Sequence, residues 1–151
     1  MKFWDASAVI PLLLREPNSV AIRKILARDP GLVAWWGTPL ECFSAFARLR
    51  RDGVLASGEE RRLRALMDRL AGDWTEVLPG NGVREHAGRL LLRHPLRAAD
   101  SLQLAAAMVW ADGNPGERGF VCLDHRLREA ALREGFRVVP ETLAFTREEG
   151  G

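Results

Sequence analysis

Asp5, Glu41, Asp100 and Asp124 are the residues whose type and setting point to chemistry. Asp5 directly follows the apolar pair Phe3-Trp4, and Asp124 follows Val121-Cys122-Leu123. Glu41 stands just beyond the apolar run 32–36, and Asp100 opens a long apolar stretch. Carboxylate oxygens with no His or Cys cluster beside them suit hard Mg2+ or Mn2+ better than Zn2+. A cation held this way can lower the pKa of bound water, orient that water and stabilise charge on a phosphodiester oxygen. The chemistry implied is phosphodiester hydrolysis without a protein nucleophile.

Asp100 is the most informative of the four. Its helical spacing continues as Leu104, Ala107, Met108 and Ala111, so its carboxylate aligns with an apolar stripe and faces partial burial. Desolvating a lone charge is costly unless it is paired or binds metal. No cation follows Asp100 at helical spacing, although Arg97 precedes it by three residues. Several carboxylates brought together raise one another's pKa values, and a divalent cation removes that conflict.

The elements that must position these acids alternate along the chain. Short strands are predicted at Phe3-Trp4, 32–36, 74–78, 119–123 and 136–139. Helical spacing marks Ala8 to Leu13, Ile22 to Leu26, and Leu40 to Ala47, the last ended by Asp52-Gly53. It also marks Leu63 to Leu70, Val83 to Leu91, 98–111, and Leu127 to Ala131, with Gly135 as a cap. This alternation predicts an α/β fold with a mostly parallel sheet and helices on both faces. Ligands in such sheets bind outside the carboxyl ends of the strands, where strand order reverses. Asp5, Glu41 and Asp124 all fall at strand carboxyl ends. A helix that feeds a parallel strand starts on the same edge, so Asp100, in its first turn, joins them. Strand order, and with it convergence on one point, stays open.

Each acid also has a simpler role. Asp5 and Asp124 are candidate helix N-caps, and Asp100 suits the positive end of a helix. Thr38-Pro39-Leu40-Glu41 matches a capping box, the better reading of Glu41 taken alone. A cap leaves a second carboxylate oxygen for metal.

At these residues the chain resembles the PIN-domain nucleases, especially toxin ribonucleases of the VapC type. Phe3-Trp4-Asp5-Ala6-Ser7-Ala8 resembles the start of the family, with Asp5 the first metal-site acid and Ser7 its supporting hydroxyl. The segment Thr38 to Arg48 resembles the second motif, with Glu41 the acid, Thr38 a supporting residue and Arg48 a basic companion. Ala99-Asp100-Ser101-Leu102-Gln103-Leu104 resembles the third, with Asp100 the acid and Ser101 in support. Phe120 to Leu127 resembles the fourth, with Asp124 the acid and His125 beside it as a substrate contact. Cys122 departs from the family, which often has Thr or Ser there. A thiol hydrogen-bonds more weakly, so support of Asp124 is expected to differ. The resemblance implies a three-layer α/β/α sandwich around a five-stranded parallel sheet, a domain over 1–145 and a polar tail over 146–151. It also implies RNA cleavage with Mg2+ or Mn2+, a small antitoxin that blocks the site, and a homodimer.

Composition fits this frame. The chain of 151 residues is the size of one domain, and 47% hydrophobic content supports a core. A net charge of +2 excludes a histone-like polycation, so anion binding needs local patches. All basic residues except Lys2 and Lys24 are arginine, a side chain suited to bidentate phosphate or carboxylate contacts. Cys42 and Cys122 form no C-x-x-C pair, which indicates a reducing cytoplasm and no zinc site. No run approaches 18 apolar residues, so no membrane span is expected.

The remaining features read as structural. Most of Arg50, Arg51, Arg61, Arg62, Arg64 and Arg69 suit solvated helix faces, with Glu60–Arg64 an i, i+4 pair. Trp35, Trp36, Trp74 and Trp110 suit core or interface, and none of His86, His94 and His125 has the setting of a metal ligand. A haloacid-dehalogenase-like phosphatase needs a second Asp where Ser7 stands, and a receiver domain needs a late Lys, whereas none follows Lys24. The serious alternative is a non-catalytic PIN-like scaffold that binds RNA or a protein partner.

Overall fold

The computed structural model describes residues 1–144; the expected polar tail at 146–151 lies outside them, as does residue 145 of the expected domain. Among the described residues there are five strands and seven helices. The strands are β1 (Lys2–Trp4), β2 (Leu32–Trp35), β3 (Thr75–Val77), β4 (Gly119–Val121) and β5 (Arg137–Val139). The helices are α1 (Ala6–Leu13), α2 (Ser19–Arg28), α3 (Thr38–Arg51), α4 (Ser57–Asp73), α5 (Asn81–Arg93), α6 (Ala98–Trp110) and α7 (His125–Glu134). The strands form one parallel sheet in the order β3-β2-β1-β4-β5.

Side-chain alternation divides the core into two. Phe3, Val33, Trp35 and Phe120 point to one face, where α5, α6 and α7 supply Val83, Leu90, Leu104 and Leu127. Trp4, Leu32, Ala34 and Val121 point to the other, where α1 to α4 supply Val9, Ile22, Phe46, Leu63 and Met67. Because the sheet is covered on both faces, β2 is buried at every position, and its sequence is an unbroken apolar run. The result is the three-layer α/β/α sandwich that the sequence resemblance implied.

The chain builds outward from β1 to β2 and β3, then α5 and α6 carry it back across to β4 on the far side of β1. Strand order therefore reverses between β1 and β4, the crevice where such sheets bind ligands. Asp5 and Asp124 flank that point. The Asp5 N–H donates to the Val121 carbonyl at 2.9 Å and closes the ends of the two strands together.

Several local expectations are corrected. Strand β2 stops at Trp35, and Trp36 is 55% exposed, so it is no core residue. Glu60 pairs across the α3–α4 hairpin with Arg50, not with Arg64, whose guanidinium sits 4.3 Å from the Phe43 ring centroid. Tertiary proximity outcompetes the i, i+4 pair because an exposed helical pair contributes so little. Gly135 caps α7 in the left-handed conformation at φ 104°, as its position suggests.

Phe120 is fully buried between Phe3 and Phe136, each ring centroid 5.5 Å away. Phe120→Ala is expected to destabilise the fold by about 3–5 kcal/mol in urea unfolding. Leu132→Ala, at a 62% exposed position, serves as the control and should change stability by less than about 0.5 kcal/mol.

Candidate active site

All four sequence-selected acids line one cleft at the carboxyl edge of the sheet. Its inner part, about 220 Å³, is bounded by Asp5, Ser7, Glu41, Arg48, Asp100 and Asp124. A wider part of about 680 Å³ shares Glu41, Arg48, Asp100 and Asp124 and adds Arg97 and Arg126. Asp5 comes from the end of β1, Glu41 from the first turn of α3, Asp100 from the first turn of α6 and Asp124 from the start of α7.

Asp5 is the most buried and the most constrained. It caps α1 by accepting from Ser7 N–H at 3.1 Å, and it also accepts from the Ser7 hydroxyl. Ser7 Oγ in turn accepts from the Leu123 N–H at 2.9 Å, which ties Asp5 to the end of β4. The expectation that Cys122 bears on the support of Asp124 changes in detail. Its Sγ lies 3.5 Å from Asp5 Oδ2, and it meets Asp124 only at the main-chain carbonyl, 3.6 Å away. Burial, with negative Asp5 adding to it, pushes the Cys122 thiol well above its ordinary pKa, so it stays a neutral weak donor.

The capping-box reading of Glu41 is not what the chain adopts. Gly37 is the N-cap of α3, Thr38 is the first helical residue, and the cap makes no side-chain hydrogen bond. Thr38 is wholly buried. Its Oγ1 accepts from Gln103 Nε2 at 3.0 Å, and the same Nε2 donates to Glu41 Oε2. Glu41 therefore turns away from its own helix start and toward α6. Gln103 is the residue that sequence reasoning missed as part of the site. The available signal was a polar residue three positions after Asp100, on the face that continues as Leu104 and Ala107.

The other expected positions differ in how they relate to the cleft. Asp124 is exposed and caps α7, accepting from Leu127 N–H at 2.9 Å. Arg48 is exposed and lines both parts of the cleft, while Arg97 and Arg126 on the wider rim were not singled out in advance. Ser101 donates to the Ala98 carbonyl of its own helix at 2.7 Å. His125 is exposed at the start of α7 and does not line the cleft.

Electrostatically the cleft is in conflict with itself. Burial raises Asp5 to about 6, against the hydrogen bonds from Ser7 and Cys122, and Asp100 adds repulsion. Burial raises Glu41 to about 7, with Asp5 and Asp100 adding repulsion and Gln103 opposing it. Burial and then Asp124 raise Asp100, which Arg97 and Arg126 offset only in part. Among the described residues, none of the four acids forms an ion pair with Lys or Arg. Nor are three His, Cys, Asp or Glu side chains drawn tightly enough together to enclose an ion directly.

Comparison with known proteins agrees with this arrangement. The PIN domain family profile matches residues 2–110, a span that holds Asp5, Glu41 and Asp100 and ends before Asp124. Two ribonucleases of Mycobacterium tuberculosis, VapC45 of strain CDC 1551 and VapC49 of strain H37Rv, are each 32% identical over 149 residues. Each alignment covers 93% of this chain and 96% of the relative. Among solved structures, FitAcB from Neisseria gonorrhoeae matches with a TM-score of 0.63 over 91% of this chain and 96% of that one. At 15% identity this likeness is one of fold. With its sheet order, its carboxylate-lined edge and its full-length relatives agreeing, the chain belongs to the PIN domain family and is of the VapC ribonuclease type.

Proposed function

We propose that this protein is a divalent-metal-dependent endoribonuclease whose reaction takes place in the carboxylate cleft. The observation that carries the reading is that four acids from four separate segments line one cleft with no neutralising Lys or Arg ion pair among the described residues. The donors are all oxygen, which fits Mg2+ or Mn2+. Mg2+ keeps several of its waters and binds through one or two carboxylates, so a lining of acids without a closed three-ligand shell suits it. When bound, such an ion lowers the pKa of an attacking water and neutralises charge developing on the phosphodiester.

The chain's own residues divide the remaining work. Asp5, Glu41, Asp100 and Asp124 hold the ion between them, some directly and the rest through its bound waters, and Ser7 fixes the Asp5 carboxylate. Arg48, Arg97 and Arg126 on the rim attract RNA phosphates toward a cleft that would otherwise repel them. By its kinship with the VapC ribonucleases, the protein acts as a toxin held in check by a small antitoxin that covers this cleft. Exposed Trp36, Leu40 and Leu78, near the ends of β2 and β3, offer apolar surface for a second copy in a homodimer. Among the described residues no helix is long and apolar enough to cross a membrane, and action in the cytoplasm fits an RNA substrate.

Asp5→Ala should reduce cleavage of a labelled RNA by more than the roughly 10–100-fold that loss of a supporting residue costs. EDTA should stop the wild-type reaction, and added Mg2+ or Mn2+ should restore it. Full cleavage in EDTA, or by Asp5→Ala, would remove the metal-centred reading. A binding-only scaffold would show no cation-dependent cleavage at all.

Arg48→Ala should raise KM for RNA and flatten its dependence on salt, while leaving kcat largely unchanged. A fall in kcat with no change in KM would place Arg48 in the chemistry instead.

Stability of the metal-free protein should fall as pH rises. Folded Asp5 and Glu41 hold protons more tightly than the unfolded chain, with values raised to about 6 and about 7. The folded state is thus favoured at low pH, and the penalty grows from about pH 4 until it is complete above about pH 7. Its full size is on the order of a few kcal/mol. Thermal melts from pH 4 to 8 should show this slope, Mg2+ should remove it, and Asp5→Asn should flatten it. A metal-free protein that gains stability across that range would contradict the assignment.

A further inference from the structure

Gln103 is wholly buried on α6, one turn beyond Asp100, and its amide reaches across the carboxyl edge of the sheet. Helix α6 belongs to one helical layer and α3 to the other, so the bonds from Gln103 Nε2 to Thr38 Oγ1 and Glu41 Oε2 join the two layers above the strand ends. Both amide hydrogens are engaged in this way. The remaining polar atom, Gln103 Oε1, is buried with no hydrogen-bond partner among the described residues.

That combination is unfavourable as packing alone. An unpartnered buried amide oxygen costs stability, and an apolar side chain of the same length would avoid it. Beyond Gln103, α6 fills its buried positions with the apolar Leu104, Ala105, Ala106, Ala107 and Met108, and the buried hydroxyl of Ser101 before it is satisfied by the Ala98 carbonyl. The orientation of the amide is also fixed. Turning Oε1 toward Glu41 in the ionised form that binds a cation would set acceptor against acceptor, so in that form the NH2 group faces the carboxylate, as it does here. A buried donor aimed at an acid of the cleft acts on that acid's position, at the expense of its own oxygen.

We infer that Gln103 is a positioning residue for the reaction: it holds the Glu41 carboxylate in the cleft at a set distance from Asp100, with Thr38 locking the amide. Thr38 therefore acts on the site through Gln103 and not as a helix cap. The inference rests on the metal-dependent ribonuclease reading and goes beyond it by assigning the group that spaces two of its acids. Groups that orient metal-binding carboxylates through their hydrogen bonds tune metal affinity and activity.

The test compares Gln103→Met and Gln103→His with wild type. Mn2+ affinity is measured by electron paramagnetic resonance, RNA cleavage by steady-state kinetics, and stability by thermal melting. Gln103→Met keeps the length but donates nothing, so Mn2+ affinity and kcat should fall by about 10–100-fold. KM for RNA should stay within about twofold, and the melting temperature should be unchanged or higher. Gln103→His, whose ring N–H can donate to Glu41, should recover most of the loss. Wild-type Mn2+ affinity and kcat in Gln103→Met overturn the inference and leave the nuclease reading standing. Equal losses in both variants with a lower melting temperature assign Gln103 to packing and also overturn it. A wild-type protein that neither binds Mn2+ nor cleaves RNA fails the ribonuclease reading, and this inference falls with it.

Discussion

Burial of carboxylates, with their mutual repulsion adding to it, organises the carboxyl edge of this protein. Water would screen these charges on an open surface, but the fold withdraws Asp5 almost completely and Glu41 in large part. At Asp5 and Glu41 the surrounding groups answer that conflict with neutral donors. Ser7 and Cys122 face Asp5, and Gln103 faces Glu41. Such neutral donors orient a carboxylate without cancelling its charge, which a Lys or Arg in the same place would do. Arg48, Arg97 and Arg126 stand in the lining of the wider cleft, and among the described residues none of them forms an ion pair with the four acids.

The sheet makes this arrangement possible. Placing β4 beside β1 brings two strand ends, and therefore Asp5 and Asp124, to the same point although they are far apart in the chain. The long return through α5 and α6 serves the same end, because α6 must begin at the carboxyl edge to deliver the chain to β4. Asp100 in its first turn is carried to the cleft by that geometry. Hydrogen bonds then close the seam: Asp5 N–H to Val121, Leu123 N–H to Ser7, and Gln103 to α3. The site is thus held by contacts between elements and not by any one loop.

Capping a helix and lining the cleft are not competing roles here. Asp5 and Asp124 both cap helices, as their positions suggest, and both line the cleft. Glu41 is the instructive exception. Its spacing from Thr38 is that of a capping box, yet the N-cap falls one residue earlier, at Gly37, which leaves Thr38 buried as the first helical residue and the acid turned toward Gln103. A local motif failed because a partner from another helix offered the carboxylate a better donor than its own backbone. The Glu60–Arg64 spacing was overruled in the same way by Arg50.

Alternating apolar runs and helical stripes were enough, from the sequence alone, to settle the α/β class, the parallel sheet and the placement of four acids on one edge. These follow from period and order, which are local properties of the chain. The resemblance of four ordered motifs to PIN-domain nucleases added the sandwich and its strand number. Strand order, the common cleft, the rim arginines Arg97 and Arg126, and the link from Gln103 through Thr38 to Glu41 came only from the tertiary structure. Each depends on which distant segments meet, and no spacing along the chain encodes the direction in which a buried amide donates its hydrogens.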